Sequence, residues 1–425
     1  MILSHRKVVF LQGPSSRFFA QAAEKCREFD AQTLRIGVAP GDRLYWPRRA
    51  GRYLPFRGRP SDFPTFLQQL IRTEAPTDFV MLGDGRPYHR MTIDLLAGMR
   101  AETPAGGTPT PWIIEHGYLR PGILVESWGM GGRSQIPRAF AARALGAATD
   151  AAPPLTGFPS SFLRYGALDM GYHLANLAGA WALYPHYRPY AADGPVREYA
   201  GWAIKALTLP RRRRTALQAA AQIAAHQGPL FLFPLQLAGD YQIRNYGTGE
   251  SLAQILDRVI ASFARHAPGD ALLVVRQHPL DNGLSRWGDQ VRATAAAQGV
   301  GARVVFQDGG PAEPVLARAS GMVTVNSTMG LEAVLRGLPC QILGRAIYGL
   351  PGLVSSGQME DFWTDPTPPD PALAKEFADF LRRNYQIAGS FDGPGAEVGA
   401  RNLAQRLAAP PPPVFEPLFP DQVPV

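Results

Sequence analysis

Two hydroxyls and a carboxamide stand where an apolar run gives way to a helical pattern, in Val325-Asn326-Ser327-Thr328-Met329-Gly330-Leu331-Glu332. The first N–H groups of a helix have no partner within it, and the helix dipole is positive there. Such a start is a ready place for a phosphate. Thr328 and Glu332 are four residues apart and share a helix face, from which Glu332 could bond a ribose hydroxyl. Plain helix capping by Asn326 or Ser327 is the alternative. A second pattern, Arg276-Gln277-His278-Pro279, ends another apolar run. The proline stops the strand and holds the histidine at the sheet edge, where an imidazole can donate a hydrogen bond to a departing phosphate, or a proton if charged. A third edge, in PLQLAGDYQI, offers Gln236, Asp240 and Gln242 as donor or acceptor contacts, or as turn formers. In the first half, Pro111 to Ile114 leads into Glu115-His116-Gly117-Tyr118-Leu119-Arg120-Pro121. Glycine permits a sharp turn there, leaving a carboxylate and an imidazole, either able to take a proton from an attacking hydroxyl. A Glu115–Arg120 salt bridge is the structural alternative. Asp84, Arg86 and His89, in GDGRPYHR, are further candidates for the base or for acceptor contacts. The chemistry suggested is displacement of a phosphate-bearing leaving group by a hydroxyl.

The elements that would position these residues alternate between strand and helix. Strands are expected at Lys7–Gln12, Leu34–Val38, Asp78–Gly83 and Pro111–Glu115, with helices from Ser15 or Ser16 to Phe29 and near Tyr88–Met99. Helical aromatic and Ala/Leu runs follow from Phe162 to Leu183. The second half reads as strands Pro229–Leu237, Ala271–Arg276, Ala302–Phe306, Met322–Asn326 and Gln341–Leu343. Helices Ser251–His266, Ser285–Gln298, Glu313–Ala319 and Ser327–Gly337 separate them. Apolar runs alternating with helices imply parallel sheets covered on both faces, and such sheets bind ligands at the carboxyl ends of their strands. The expected division is an N-terminal Rossmann-like domain (1–150), a helical extension and basic linker (151–215), a C-terminal Rossmann-like domain (216–400) and a Pro-rich tail (401–425). Two doubly wound α/β domains facing across a cleft is the GT-B arrangement.

At 425 residues, 46% hydrophobic and 18% charged, the chain can build two ordinary cores without staples. Its two cysteines, Cys26 and Cys340, have no metal or CxxC spacing and read as buried thiols in a reducing compartment. No stretch reaches the ~18–20 apolar residues that cross a bilayer, and the N-terminus lacks a secretory signal, which points to the cytoplasm. The net charge is +8. A local run, Arg211 to Arg214, is either a solvated linker or a patch that meets anionic lipid headgroups. No RNP, helix-turn-helix or zinc-finger pattern accompanies the charge, which sets nucleic acid aside. No Asp pair at a strand end suggests a metal.

Taken in order, FLQGPSSRFF with Gly41-Asp42, EHGYLRP, PLQLAGDYQI, RQHP, NSTMGLEAVLRGLP, LGRAIYGLPGL and Asp361-Phe362-Trp363 resemble the KpsS/LipB-type capsule polysaccharide biosynthesis proteins over most of the chain. The resemblance implies an inverting, metal-independent β-Kdo transferase that takes CMP-β-Kdo as donor substrate and needs no cofactor. Its acceptor would be a (lyso)phosphatidylglycerol at the inner face of the cytoplasmic membrane, where the enzyme would be peripheral and start a poly-Kdo linker. A second Kdo transferase and a capsule ABC transporter would be its partners. By the same resemblance His278 would stabilise departing CMP, and Ser327 and Thr328 would bind its phosphate; Gln277, Pro279, Asn326, Glu332, Gln236 and Asp240 are the further donor-side candidates. Arg86, His89 and Arg120 would face the acceptor. Related transferases carry two acids before the glycine, whereas here His116 stands second. That leaves Glu115, His116 and Asp84 all open as the base. A transferase using a UDP- or GDP-sugar, and a non-catalytic glycolipid assembly or export factor, are the alternatives.

Overall fold

The computed structural model describes residues 5–103, 107–142, 155, 157–159, 161–189, 194–237 and 249–415. Contacts divide the chain into two units: Met1–Tyr190 with Asp379–Val425, and Ala191–Ala378.

The first unit is built on β1 (Lys7–Phe10), β2 (Gln32–Gly37), β3 (Arg52–Pro55), β4 (Asp78–Leu82), β5 (Thr110–His116) and β6 (Ile123–Ser127). A two-residue strand from far along the chain, β12 (Gln386–Ile387), completes the sheet in the order β12-β6-β5-β4-β1-β2-β3. The pairs from β5 to β3 are parallel, while β6 runs antiparallel to both β5 and β12. The inner strands β1, β4 and β5 are apolar through their middles because helices cover both faces. One covering layer is the helix Phe18–Glu28, whose Phe18, Phe19, Ala22, Ala23 and Cys26 are buried. The helix Gly395–Ala408 shares that core through Ala396, Ala400, Leu403, Ala404 and Leu407, an i, i+4, i+7, i+8, i+11 stripe. Close approach is enforced by Gly399, where an added Cβ would lie 2.8 Å from Ile123 and 3.0 Å from Phe18.

The second unit holds β7 (Leu230–Pro234), β8 (Leu272–Arg276), β9 (Val304–Gln307), β10 (Gly321–Thr324) and β11 (Cys340–Ile342), all parallel, in the order β11-β10-β7-β8-β9. In chain order this is 3-2-1-4-5, the Rossmann order, and the parallel part of the first sheet repeats it. Its core gathers Phe231, Phe233, Val259, Phe263, Val275 and Trp363. The indole of Trp363 donates to Ser262 Oγ at 2.9 Å, so the Asp-Phe-Trp motif serves packing. The helix Leu252–His266 starts in a capping box between Ser251 and Gln254.

The two α/β units with parallel-rich doubly wound sheets match the expected fold class, but the boundaries differ from those expected. Residues 379–408 belong to the first unit, because the stripe on Gly395–Ala408 packs on its sheet; 216–400 is therefore not one domain, and 401–408 is helix rather than tail. The segment 151–215 is also divided: the single helix Phe162–Leu183 lies in the first unit, and Pro195–Leu207 and Leu209–Ala225 lie in the second. The Arg211–Arg214 run is thus helical, not a linker. The N-cap position of the first helix is Arg17, one residue later than expected, but Ser16 Oγ accepts the Phe18 N–H at 3.3 Å and donates to the Phe391 carbonyl at 2.6 Å. The strands β3, β6 and β12 were not anticipated.

Candidate functional site

Chain reversal in the second sheet falls between β7 and β10, and a doubly wound sheet binds ligands beyond the strand ends at that place. Gln236 stands two residues past β7 and Asn326 two residues past β10. Their side chains join across the gap: Gln236 Nε2 donates to Asn326 Oδ1 at 2.8 Å, and the Asn326 N–H donates to Gln236 Oε1 at 3.3 Å. Ser327 is the N-cap of the helix Thr328–Leu335, its Oγ accepting from the Met329 N–H at 3.2 Å. The capping alternative is thus realised at Ser327, one of the residues also expected to hold a phosphate. The turn is fixed from behind by Tyr348, whose hydroxyl donates to the Ser327 carbonyl at 2.6 Å. Gly330 makes room for it, since a Cβ there would lie 2.1 Å from that hydroxyl. Thr328 is half-buried in the first turn. Glu332 points away from the role expected of it. It is exposed and paired at 2.7 Å with Arg336, which also holds Glu313 at 2.6 Å. Asp240, with Gln242, lies outside the described residues.

β8, the neighbour of β7 on the other side, ends at Arg276 and releases Gln277-His278-Pro279. Arg276 is buried, bonded to Gln307 Oε1 at 2.7 Å and to the Gly310 carbonyl, and burial lowers its pKa. Gln277 is buried too, and its amide donates to Asp281 Oδ1 at 2.7 Å, so it shapes the loop rather than reaching outward. Asp281 also accepts from the Gly283 N–H at 2.7 Å and from the Trp287 indole at 3.1 Å. On this rigid loop His278 is half-buried, and its Nδ1 accepts the Leu280 N–H at 3.1 Å. That bond fixes the tautomer: a neutral His278 carries its proton on Nε2 and is a donor there. Pro279 is exposed beside it.

In the first unit the reversal lies between β1 and β4. Beyond β4 come Gly83, at φ +65°, and the buried Asp84, whose Oδ2 accepts the Met130 N–H at 3.2 Å. Arg86 Nη1 donates to the Gly13 carbonyl beyond β1 at 3.2 Å. Glu115, at the end of β5, comes close enough that a Cβ on Gly83 would meet its Oε2 at 3.4 Å. Burial raises the Glu115 pKa, opposed by the bond from its neighbour's N–H and by the charges of Arg86 and Arg120. Asp84, Arg86 and Glu115 are therefore brought to one sheet end. Glu115 accepts the His116 N–H at 2.9 Å and forms no salt bridge with Arg120. His116 packs its ring edge-on against Phe391, 4.8 Å between centroids, at an exposed position where desolvation and then Arg120 hold its pKa low. Arg120 is exposed nearby in sequence. His89 corrects the expectation. It lies on the inward face of the helix Pro87–Glu102, fully buried, with Nδ1 bonded to the Gly83 carbonyl at 2.9 Å, and burial pulls its pKa down to about 3. It is a neutral support for the Gly83 turn, not an acceptor contact.

The sequence reading missed a buried acid in the first unit. Glu126 on β6 accepts from Tyr118 Oη at 3.1 Å and from Ser134 Oγ. The Tyr118 oxygen in turn accepts the Gly131 N–H at 3.1 Å. Burial drives the Glu126 pKa to about 8 against the two hydroxyl bonds, and the Asp84 charge adds to the rise. Successive N–H groups of one loop, Met130 and Gly131, are thus held by Asp84 and by the Tyr118–Glu126 pair. The signal in the sequence was an acid inside the apolar run ILVES. Tyr348 and Asp281 were also missed, although Tyr348 sits within the LGRAIYGLPGL motif.

Comparison with known proteins agrees with the family resemblance. The capsule polysaccharide modification protein LipB of Neisseria meningitidis serogroup A is 28% identical over 404 residues, covering 92% of this chain and 93% of that protein. The capsule polysaccharide export protein KpsS of Escherichia coli is 28% identical over 399 residues, covering 91% and 97%. Among solved structures, the KpsC beta Kdo 2,7 transferase of Thermosulfurimonas dismutans aligns over 95% of this chain and 100% of that one, at 11% identity and a TM-score of 0.45. The profile of the family described as "Capsule polysaccharide biosynthesis protein" matches residues 77–392. With three quarters of its length inside that match, the chain belongs to the capsule polysaccharide biosynthesis protein family.

Proposed function

We propose that the chain is a capsule glycosyltransferase that moves Kdo from CMP-β-Kdo, with inversion, to a (lyso)phosphatidylglycerol acceptor at the inner face of the cytoplasmic membrane. The observation that carries the transferase reading is the end of the second sheet. A joined Gln236–Asn326 amide pair, a capped helix start at Ser327 and Thr328, and His278, whose Nδ1 accepts the Leu280 N–H, lie beyond the carboxyl ends of β7, β10 and β8. Negative charge gathers on the CMP phosphate as the glycosidic bond breaks, and donors already in place stabilise it without reorganising. Among the described residues, the groups bonded in the turns that follow β7 and β10 are amides and hydroxyls. Donor and acceptor identities rest on the family resemblance.

The acceptor hydroxyl must lose a proton as it attacks the anomeric carbon. Asp84 and Glu115 of the first unit are the supported bases, and the raised pKa of Glu115 moves it toward the range where a general base works near neutral pH. The names of the relatives, a modification protein and an export protein, support participation with capsule export machinery, and a second Kdo transferase and an ABC transporter are the partners we propose.

The test is transfer from CMP-Kdo, generated in situ, onto a fluorescent lyso-phosphatidylglycerol. A product heavier by one Kdo, lost in His278→Ala, supports the whole reading. Failure of CMP to raise the melting temperature, with UDP or GDP doing so, would reject the donor.

A further inference from the structure

We propose that the outer face of the helices Pro195–Leu207 and Leu209–Ala225, in the second unit, is a docking surface for an anionic lipid bilayer. This deepens the membrane-surface part of the preceding reading by naming the surface. Val196, Ala200, Ala203 and Leu207 recur at i, i+4, i+7 and i+11 along the first helix, with Ile204 beside them, and all five are exposed. Leu207 is 82% exposed, Val196 71% and Ile204 53%. Leu209 and Leu217 extend the apolar character into the second helix, at 43% and 71%. A contiguous exposed apolar face of this kind marks a place where something binds.

Charge decides what binds. Segment 195–225 carries six basic residues and one acid, Glu198. Arg212 turns inward and pairs with Asp308, which fastens the second helix to its unit. Arg211, Arg213 and Arg214 stay exposed, and among the described residues none is paired with a carboxylate. An apolar stripe bordered by unpaired arginines matches the boundary between acyl chains and anionic headgroups, where the leucines enter the apolar layer and the guanidiniums stay with the phosphates. A second copy of this chain is disfavoured, because a two-fold contact would set the arginines against themselves.

The surface is tied to the donor-site loop. Lys205 Nζ donates to the Pro279 carbonyl at 3.3 Å and to the Asp281 carbonyl. Gly201 lets the first helix press on the same loop, since a Cβ there would lie 2.9 Å from Leu284 and 3.0 Å from Asn282. The loop that carries His278 is thus braced by the helix proposed to lie on the membrane.

The experiment is co-sedimentation of the full chain with phosphatidylcholine vesicles, with and without phosphatidylglycerol. We expect binding only where phosphatidylglycerol is present, weakening with salt. Replacing Arg211, Arg213 and Arg214 together by Gln should weaken it roughly a hundredfold, about fivefold for each charge. Ile204→Glu with Leu207→Glu should abolish it. Both variants should keep the CMP-induced rise in melting temperature, which separates this inference from the donor reading. Equal binding to neutral vesicles, no effect of the arginine variant, or no vesicle binding by the parent would overturn it. So would a large fall in melting temperature of Ile204→Glu/Leu207→Glu without vesicles, which would mean that another part of this chain covers the face.

Discussion

Gly330→Ala tests whether the Ser327 turn, proposed to hold phosphate, is held from behind by Tyr348. Gly330 has ordinary helical backbone, so the substitution is not strained by conformation; the obstacle is space. The new methyl would sit 2.1 Å from the Tyr348 hydroxyl and 2.9 Å from Thr324 Cγ2. Tyr348 is 2% exposed, so it cannot swing into solvent. Pushing it aside costs ~1–3 kcal/mol of overpacking. Its hydroxyl then leaves the Ser327 carbonyl, and a buried group without its partner costs ~1–3 kcal/mol more. Better helix propensity returns ~1 kcal/mol. The net expectation is a loss of ~3 kcal/mol in urea unfolding, accompanied by a weaker CMP-induced shift in melting temperature. Tyr348→Phe removes the nearest atom, so the Gly330→Ala/Tyr348→Phe pair should be less destabilised than the sum of the singles by at least ~1 kcal/mol. A Gly330→Ala protein within ~0.5 kcal/mol of the parent, or strict additivity in the cycle, would refute the reasoning.

Glu126 binds a proton in the folded chain up to about pH 8, whereas an unfolded glutamate titrates near 4.5, so the native state holds more protons between the two and stability falls as pH rises through that window. At ~1.4 kcal/mol per pH unit the full effect approaches ~5 kcal/mol, and Glu126→Gln should flatten the pH dependence of urea unfolding; an unchanged profile would reject the assignment. Asp42 pairs with Arg35 at 2.9 Å, both buried, and also accepts the Val38 and Ala39 N–H groups. Asp42→Asn should cost ~3–5 kcal/mol by leaving the guanidinium uncompensated, and Arg35→Met in the same chain should recover part of that in thermal unfolding. His278→Ala should abolish transfer while lowering CMP affinity less than tenfold, because its bond strengthens as charge develops on the leaving phosphate; titration calorimetry beside the transfer assay separates the two effects.

The parts of this fold that were legible are those whose signal is local. Leu230–Pro234, Leu272–Arg276 and Asp78–Leu82 are covered on both faces and, apart from the terminal Arg276 and Asp78, read as apolar runs. β3, with the sequence RYLP, is half-exposed at an edge, and β12 has two residues, so neither gives a run to read. The destination of Gly395–Ala408 was hidden for another reason: its stripe of small residues announces close packing but not the partner, which lies almost four hundred residues upstream in the helix Phe18–Glu28. His89 was misread although its signal was present. His89, Thr92, Ile93 and Leu96 recur at i, i+3, i+4 and i+7, the mark of an inward face, and all are buried. The motif pattern had drawn it toward Arg86, three residues away, instead.

The same strand order in both units puts a reversal, and so a ligand-binding position, in each, yet the two are furnished with opposite chemistry. Beyond β7, β10 and β8 stand amides, hydroxyls and an imidazole: Gln236, Asn326, Ser327, Thr328 and His278. Glu332, the acid of that helix, is turned to Arg336. Beyond β4 and β5 stand Asp84 and Glu115, with Glu126 behind them on β6. A carboxylate near a phosphate costs affinity, whereas a hydroxyl acceptor needs a carboxylate to take its proton. In the second unit the nearest described acid, Asp281, is held by Gln277, Gly283 and Trp287. On the proposed reading the leaving group is served by the second unit and the base by the first. The sorting also predicts the asymmetry of damage: Asp84→Asn and Glu115→Gln should lower turnover with CMP affinity intact, whereas Asn326→Ala should loosen CMP first. If Asn326→Ala left CMP binding untouched while Asp84→Asn weakened it, the assignment of donor and base to the two units would be reversed.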